Sequence, residues 1–223
     1  MDVQTLSVTL RLAAVTTAIL LGLAIPIAYW ITSTRSRLRA LVEAITTLPI
    51  LLPPTVLGFY LLVLLGARTG FGRVWIRLTG HPLAFTFAGL VVGSVIYSLP
   101  FAVQPIVAGF SGVDVSIIEQ ARLLGASRWR LLHSVLLPLS ARSIGAAALL
   151  CFTHTVGEFG VVLMIGGDIP GATRTLSIAV YDQVQDFAYT AANRTSLFLV
   201  GISVVSLAIL YTWRGAYAEA RHD

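Results

Sequence analysis

Few side chains in this sequence could carry out chemistry, and three of them fall within one stretch that is otherwise apolar. His154 and Glu158 stand one helical turn apart between Ser143 and Gly167, and Cys151 lies just before them. An ionisable side chain inside an apolar stretch is a candidate functional residue. Two potential ligands without a third are weak evidence for a metal site, and a single cysteine cannot form an internal disulfide. The residues therefore predict no bound metal and no cofactor.

The basic residues exclude further kinds of chemistry. All fifteen are arginines, since the sequence contains no lysine. Without lysine the chain has neither the phosphate-binding loop of many ATPases nor a Schiff-base residue, so we expect it not to be an enzyme and to hydrolyse no ATP itself. The net charge of +5 is spread between apolar stretches rather than gathered in one region, so we expect no nucleic acid partner.

The elements that hold these residues are predicted to be membrane helices. Hydrophobic residues make up 57% of the chain, charged residues 11%, and the mean hydropathy is +0.86, outside the usual range of soluble domains. A helix crosses the hydrocarbon core with about 20 apolar residues. Stretches of this kind run from Val8 to Ile31, Ala44 to Leu65, Ala84 to Ala108, Ser143 to Gly167 and Thr195 to Trp213.

These stretches predict an all-α integral membrane protein, a polytopic bundle of five transmembrane helices. The number becomes six if the semi-polar segment from Thr173 to Ala192 forms a re-entrant or interfacial helix. Positive residues collect on the cytoplasmic side of membrane spans. Placing the segment after the third span in the cytoplasm puts nine arginines inside: Arg35, Arg37, Arg39, Arg122, Arg128, Arg130, Arg142, Arg214 and Arg221. The N-terminus is then outside and the C-terminus in the cytoplasm.

Prolines and glycines indicate helices that are neither straight nor independent. Pro53 and Pro54 lie within the second span and remove backbone donors, so we expect this span to be kinked or locally unwound. Gly89 and Gly93 form a G-x-x-x-G pair, and the small residues from Gly145 to Ala148 form a second patch through which helices could approach closely.

The loop at residues 111–142 has the pattern of a short helix that stops at a glycine. Asp114 or Ser116 can cap its start, and Ser116 with Glu119 matches the capping box. Gly125 is expected to end it in the left-handed conformation.

A second short helix is expected to follow in the same loop. Ser127 can cap its start, and it is expected to run to Leu136 before Pro138 breaks it. Two helices too small for a core of their own would form a compact projection, here called the knob, that must pack against another protein. The alternative is an amphipathic helix that lies on the inner leaflet.

This loop resembles a signature of the membrane subunits of ATP-binding-cassette (ABC) importers, written E-A-A-x3-G-x9-I-x-L-P. Here the residues are Glu119-Gln120-Ala121, then Gly125, then Val135-Leu136-Leu137-Pro138, with Gln120 in place of alanine and Val135 in place of isoleucine. In that family the loop docks into a cleft of the ATPase subunit and transmits its closure to the membrane helices. We call residues 111–142 the coupling loop. The resemblance implies that the coupling residues are Glu119, Gln120, Ala121, Gly125 and Pro138.

Other motifs resemble the molybdate-importer permeases within this class. They are Pro53-Pro54-Thr55-Val56-Leu57-Gly58, Gly157-Glu158-Phe159-Gly160, and Ile169-Pro170-Gly171-Ala172-Thr173-Arg174-Thr175-Leu176-Ser177 with Tyr181-Asp182. The related sulfate and thiosulfate permeases share the second motif but are less similar around the third. The resemblance implies a single transmembrane permease domain at residues 1–223, in the inner membrane, that imports molybdate. Tungstate, sulfate and thiosulfate stay open as substrates.

The same resemblance implies the partners of the chain. They are two ABC ATPase subunits, a second copy of this chain, an extracytoplasmic oxyanion-binding protein and the lipid bilayer.

An oxyanion that crosses the membrane must exchange its water shell for hydrogen-bond donors. Hydroxyls and amides suit a passing anion better than buried arginine, although hydroxyls in helices often bond to their own backbone. The candidate pathway or gate residues are Thr47, Pro53, Pro54, Thr55, Ser94, Gln104, Thr153 and Glu158. Because a carboxylate repels an anion, we expect Glu158 to organise the structure, by pairing with His154 or an arginine, or by capping a helix that breaks at Gly157.

An intramembrane protease is the remote alternative. Gly109-Phe110-Ser111-Gly112 resembles the G-x-S-G turn of rhomboid proteases, with His154 as the candidate base. The remainder of that pattern is missing from the sequence.

Overall fold

A computed structural model describes the backbone of residues 2–219 and the side chains of residues 2–212. In chain order the helices are α1 (Val3–Ser33), α2 (Leu38–Leu51), α3 (Pro54–Leu65), α4 (Gly70–Thr79), α5 (Phe87–Ser111), α6 (Val115–Leu123), α7 (Arg128–Leu131), α8 (Leu137–Leu139), α9 (Ala141–Gly157), α10 (Gly160–Gly166), α11 (Leu176–Gln185) and α12 (Tyr189–Glu219), with a π-helical turn at Leu132–Leu136 between α7 and α8. No strand occurs among residues 2–219, which confirms the predicted all-α class. Arg221, used in the orientation prediction, lies outside the described residues, as do the side chains of Trp213 and Arg214.

The membrane spans agree with the predicted number when bent helices are counted as single spans. Over the described residues, α1, α5 and residues Tyr189–Thr212 of α12 are long and apolar enough to cross a membrane. Two bent pairs raise the number to five: α2 with α3, at 111°, and residues Arg128–Leu139 with α9, at 73°. Proline explains the first bend, since Pro53 is extended with ψ 132° and Pro54 begins α3. The predicted break of the second span is confirmed.

The fourth predicted span is not the continuous stretch from Ser143 to Gly167. Its first helix, α9, ends at Gly157, the backbone of Glu158 is extended with ψ 130°, and α10 begins again at Gly160. The predicted sixth segment contains α11, whose ten residues rise about 15 Å, half the thickness of the hydrocarbon core. This helix is too short to cross the membrane, which agrees with a re-entrant or interfacial position.

The main core forms where α1, α5 and α9 pack along one another. Leu20, Ile106 and Cys151 are fully buried there, together with Leu132 and Leu136 of the π-helical turn. Cys151 is thus a small apolar core residue, as expected of a lone cysteine in a membrane helix. Small side chains such as Ala102 and Ala147 let the three helix backbones approach closely.

A second core lies around α10, where glycines replace side chains that would collide. A Cβ on Gly58 of α3 would lie 2.8 Å from Cβ of Met164, and a Cβ on Gly93 of α5 would lie 2.5 Å from Cδ1 of Ile165. A Cβ on Gly89 would lie 3.4 Å from Cγ2 of the same Ile165, so both glycines of the predicted G-x-x-x-G pair face α10. Since α10 is held between α3 and α5, the two broken spans contact each other at their breaks.

Candidate functional site

The coupling loop begins with a capped helix. The carboxylate of Asp114 accepts a hydrogen bond from the backbone N–H of Ser116 at 2.8 Å and caps α6. This hydrogen bond lowers the pKa of Asp114. Of the two predicted caps Asp114 is therefore the one used. The predicted capping box is wrong, because a helix that starts at Val115 places Glu119 beyond its first turn.

Gly125 ends α6 as the sequence predicts. Its φ is +80°, in the left-handed region that favours glycine, and a Cβ at this position would meet no atom within 4 Å. The N–H of Ala126 reaches back to the carbonyl of Ala121 at 3.0 Å and closes the helix end. The requirement for glycine therefore comes from the backbone and not from packing.

The second half of the coupling loop differs from the prediction. Ser127 caps α7, where its hydroxyl accepts from the N–H of Arg130 at 3.3 Å, but Pro138 does not break the helix. The chain widens into the π-helical turn, in which the N–H of Leu137 donates to the carbonyl of Leu132, five residues back. This wider turn accommodates a proline that has no N–H to donate. The bend falls instead at Ser140, between α8 and α9.

The tip of the coupling loop is apolar and exposed. Leu123 and Leu124 are 87% and 86% exposed, and Trp129 is 70% exposed. The base is anchored, since Leu132 and Leu136 belong to the main core and Leu131 is also buried. Glu119, Gln120 and Pro138 are exposed and Ala121 is half-buried. The loop is thus a projection with an anchored base and an exposed apolar end, a shape that the predicted docking knob requires.

Four of the predicted pathway residues lie on an accessible face of α2, α3 and α5. Pro53, Thr55 and Gln104 are exposed and Thr47 is half-buried. The side-chain amide of Gln104 donates to Oγ1 of Thr47 at 3.3 Å, so α5 and α2 are joined by a polar contact. A primary amide that faced lipid would leave hydrogen-bonding capacity unmet. This face is therefore suited to water or to protein rather than to acyl chains.

Three other predicted pathway residues have buried side-chain oxygens that lack partners. Hydroxyl oxygens of Ser94 and Thr153 and both carboxylate oxygens of Glu158 have no hydrogen-bond partner among the described residues. Ser94 faces the Glu158 carboxylate. Pro54 lies beside them, since a Cβ on Gly160 would meet Cβ of Pro54 at 2.7 Å. The structure thus gathers Ser94, Glu158 and Pro54 near the point where the two broken spans meet.

Glu158 does not pair with His154, one of the partners considered from the sequence. Nδ1 of His154 lies 2.9 Å from Oγ of Ser98, and the ring stacks on Phe101 with the centroids 4.1 Å apart. No ion pair to Glu158 occurs among the described residues. The predicted helix break at Gly157 is present, and the backbone carbonyl of Glu158 accepts a hydrogen bond from Ser177. The side-chain carboxylate of Glu158 makes no hydrogen bond with the described residues.

The catalytic pair of the protease alternative is not assembled. Ser111 is the last residue of α5, whereas His154 contacts Ser98, thirteen residues earlier on the same helix. At 1.5 Å per residue this separation is about 20 Å along the helix axis. A histidine that distant cannot serve as base for Ser111.

A charged cluster at the other end of the bundle was not predicted from the sequence. Nη2 of Arg174 donates to Oδ2 of Asp168 at 2.6 Å and lies 3.6 Å from Oδ2 of Asp182. The hydrogen bonds from Arg174 lower the pKa of Asp168, while burial raises the pKa of Asp182. The sequence motif from Ile169 to Ser177 contains Arg174, but spacing alone did not show which carboxylates it would contact.

Two further polar residues were missed. The hydroxyls of Thr16 and Thr17 on α1 are buried without a hydrogen-bond partner in the described part of the chain. Threonines are common in membrane helices, so the sequence offers no signal that separates these two from structural ones.

Comparison with known proteins identifies the class. Residues 7–222 match the family described as binding-protein-dependent transport system inner membrane component. The chain belongs to this family of multi-pass inner-membrane transport subunits. It is 46% identical over 213 residues to the molybdenum transport system permease protein ModB of Azotobacter vinelandii, a match that covers 96% of this chain and 94% of that protein. It is 35% identical over 172 residues to ModB of Escherichia coli strain K12, covering 77% and 75%.

More distant matches include a sulfate permease and two solved structures of an ABC transporter. The sulfate transport system permease protein CysT of Escherichia coli strain K12 is 30% identical over 181 residues, covering 81% of this chain and 65% of that protein. Among solved structures, a bacterial ABC transporter involved in the import of the acidic polysaccharide alginate matches with a TM-score of 0.74 at 18% identity, covering 97% of this chain and 79% of that one. The same transporter in complex with an alginate-bound periplasmic protein matches with a TM-score of 0.73. At this identity the likeness concerns the fold.

Proposed function

We propose that this chain is the membrane-spanning permease subunit of an ABC importer that carries molybdate into the cytoplasm, with ATP hydrolysed by a partner. The observation that carries the proposal is the coupling loop, an anchored projection with an exposed apolar tip and a left-handed Gly125 at its joint. A sequence without lysine has no phosphate-binding loop of its own. Energy must then arrive through a contact with another protein.

The coupling residues act in two ways in this proposal. Glu119, Gln120 and Ala121 on α6 present a surface to the ATPase, whereas Gly125 sets the angle between α6 and α7 and Pro138 lies just before the bend at Ser140. Leu132 and Leu136 bury the base of the loop in the same core as α1 and α5. Movement of the tip is therefore passed to the membrane spans through packed side chains rather than through a flexible linker.

The assembly contains two ATPase subunits, two copies of this chain and an extracytoplasmic oxyanion-binding protein. The polar face of Thr47, Thr55 and Gln104 supports the second copy, because these side chains need a surface other than lipid. Exposed apolar side chains along α12, such as Phe198 and Val204, suit contact with lipid. The whole of residues 1–223 acts as one permease domain, with the N-terminus outside and the C-terminus in the cytoplasm.

The pathway runs between the two copies along this polar face. Thr47, Thr55 and Gln104 offer the passing anion hydrogen-bond donors that it can leave again. Pro53 and Pro54 break the span beside them, and Ser94, Thr153 and Glu158 lie behind it. We assign these buried groups to the gate, because a buried carboxylate would repel the cargo from direct contact.

Molybdate is favoured over the other tetrahedral oxyanions by similarity. The molybdenum permease of Azotobacter vinelandii is 46% identical to this chain, whereas the sulfate permease of Escherichia coli is 30% identical. Tungstate has the shape and charge of molybdate, so the pathway itself offers no means of separating the two. Sulfate or thiosulfate transport is the second candidate.

Reconstitution tests the proposal directly. The chain is placed in liposomes with its ATPase, and the molybdate-loaded binding protein is added outside. We expect ATP hydrolysis to be stimulated only when all three proteins are present, with uptake of molybdate that excess sulfate does not compete away. Uptake of sulfate with molybdate excluded would reassign the substrate. Stimulation without any uptake would contradict the importer function.

A further inference from the structure

The structure holds two adjoining cavities between the end of α1 and the coupling loop. The first has a volume of about 500 Å³. Its lining includes Arg35, Arg122 and Arg128, with Tyr29, Trp30 and Leu131 beside them. The second, of about 260 Å³, shares Tyr29, Ser33, Arg122 and Leu131 with the first. A hydrogen bond of 3.3 Å from the Tyr29 hydroxyl to the carbonyl of Arg128 joins the walls.

The first cavity is suited to an anion. Arg35, Arg122 and Arg128 come from two separate segments of the chain, and none of the described residues that line the cavity is acidic. None of the three guanidinium groups makes an ion pair with a described residue. Arginine binds phosphate oxygens through two parallel N–H bonds, and three such groups around one space attract a single anionic headgroup.

The second cavity is suited to a hydrocarbon chain. Its remaining lining is mainly apolar, with Phe110, Val113, Ile118 and Leu136 among it. A free phosphate ion would fill only the charged space, whereas an amphipathic molecule would fill both. Trp30 and Tyr29 lie at the end of a membrane span, where aromatic side chains sit at the level of lipid headgroups.

We propose that these cavities bind one anionic phospholipid, with its phosphate among Arg35, Arg122 and Arg128 and the start of an acyl chain against Phe110 and Ile118. The lipid then joins α1 to the base of the coupling loop. Basic pockets between membrane helices at the cytoplasmic surface are suited to such headgroups. The site is independent of what the chain transports, since its residues differ from those of the proposed pathway.

Native mass spectrometry of the purified permease–ATPase complex tests the site. The complex is prepared in nanodiscs of phosphatidylglycerol and phosphatidylcholine, and retained phosphatidylglycerol is counted per chain. We expect Arg35→Gln to lower its retention about fivefold, as expected for one arginine near an anionic lipid surface. Arg37→Gln is the matched control, because it removes the same charge two residues away, outside the cavity, and should retain lipid normally.

Two results would overturn the proposal. Equal lipid retention by the wild type, Arg35→Gln and Arg37→Gln would show that the cavities hold no lipid. Binding of inorganic phosphate to lipid-free complex in detergent, abolished by Arg35→Gln and not displaced by phosphatidylglycerol, would assign the site to a soluble anion instead. Thermal unfolding of each variant verifies that the complex is intact. The lipid count does not depend on transport, so it would be the same if the proposed transport function were wrong.

Discussion

Ser98 on α5 and His154 on α9 are joined by a hydrogen bond of 2.9 Å between Oγ and Nδ1. The bond ties the two helices together near the centre of the bundle, where the imidazole is also stacked on Phe101. Because His154 is engaged with α5, it is not available to Glu158 one turn later. The carboxylate of Glu158 therefore remains a buried acceptor that faces Ser94 but makes no hydrogen bond or ion pair among the described residues.

Glu158→Gln is expected to change gating and not selectivity. Glutamine keeps the shape of the side chain but cannot ionise, so the purified complex should unfold at about the same temperature. Uptake should fall several-fold, because the gate loses its only carboxyl group among Ser94, Thr153 and Glu158. The measurement is the ratio of molybdate to sulfate uptake in proteoliposomes, with Glu158→Asp as the control that keeps a carboxyl group. A shifted ratio in an intact complex would contradict the gate assignment.

Gly125→Val is expected to uncouple ATP hydrolysis from uptake. A β-branched residue at φ +80° costs about 1–2 kcal/mol, so the joint between α6 and α7 should take another conformation. Gly125→Asn is the matched control, because asparagine tolerates the left-handed region and space for its side chain is open. Hydrolysis stimulated by loaded binding protein and uptake are measured together. Normal uptake by the valine variant would remove the joint from the mechanism.

Gly58→Ala is expected to destabilise the contact between α3 and α10. Its new Cβ would lie 2.8 Å from Met164 Cβ and 3.2 Å from the backbone of Val161, so the helices must separate. Overpacking of this kind costs about 1–3 kcal/mol. Gly22→Ala, on α1 with no atom within 4 Å of the added Cβ, is the control and should leave thermal unfolding unchanged. Equal unfolding temperatures for both variants would show that α10 is not held tightly.

Asp168→Asn is expected to loosen the loop before α11. The pKa of Asp168 is lowered by Arg174, so its stabilising effect is complete above its unfolded pKa of about 4 and is lost as the pH falls below that value. At neutral pH the substitution should mimic acid and speed amide hydrogen exchange at residues 169–175 about fivefold, since such an ion pair contributes about 1 kcal/mol. Asp186→Asn, outside the ion pairs with Arg174, is the control. Unchanged exchange would mean that other contacts hold the loop.

Gln104→Leu is expected to reduce molybdate uptake by at least tenfold without loss of assembly. The substitution removes the amide that bonds Thr47 at 3.3 Å and places an apolar side chain on the proposed pathway face. Val107→Leu is the control on the same helix, because Val107 packs against the main core rather than on that face. If Gln104→Leu takes up molybdate as fast as the wild type, the pathway lies elsewhere.

Local chemistry made much of the fold predictable. Pro53 and Pro54 lack backbone donors wherever they stand, and Gly125 follows a short capped helix, so the break and the joint could be expected from the sequence alone. The break at Glu158 was harder, since Gly157 and Gly160 are also common inside membrane helices. The π-helical turn before Pro138 could not be foreseen, because it depends on the burial of Leu132 and Leu136 against other helices.

The backbone of the coupling loop was more predictable than the pathway. The left-handed conformation of Gly125 follows from local sequence, whereas the coupling role of Glu119 stays a prediction. The contact between Gln104 and Thr47 spans 57 positions, and the partner of His154 depends on how α5 packs on α9. Contacts between distant segments depend on how the helices pack. A single sequence does not show which residues of two helices lie side by side.

The π-helical turn at Leu132–Leu136 amounts to one surplus residue in an otherwise α-helical path. Deleting a single residue there would restore ordinary helix geometry and at the same time turn α7 by about 100° around the axis relative to α9. Trp129 and the tip of the coupling loop would then point away from where they now lie, while the transmembrane part stayed as it was. The number of residues in the π-helical turn therefore sets the direction in which the coupling loop projects.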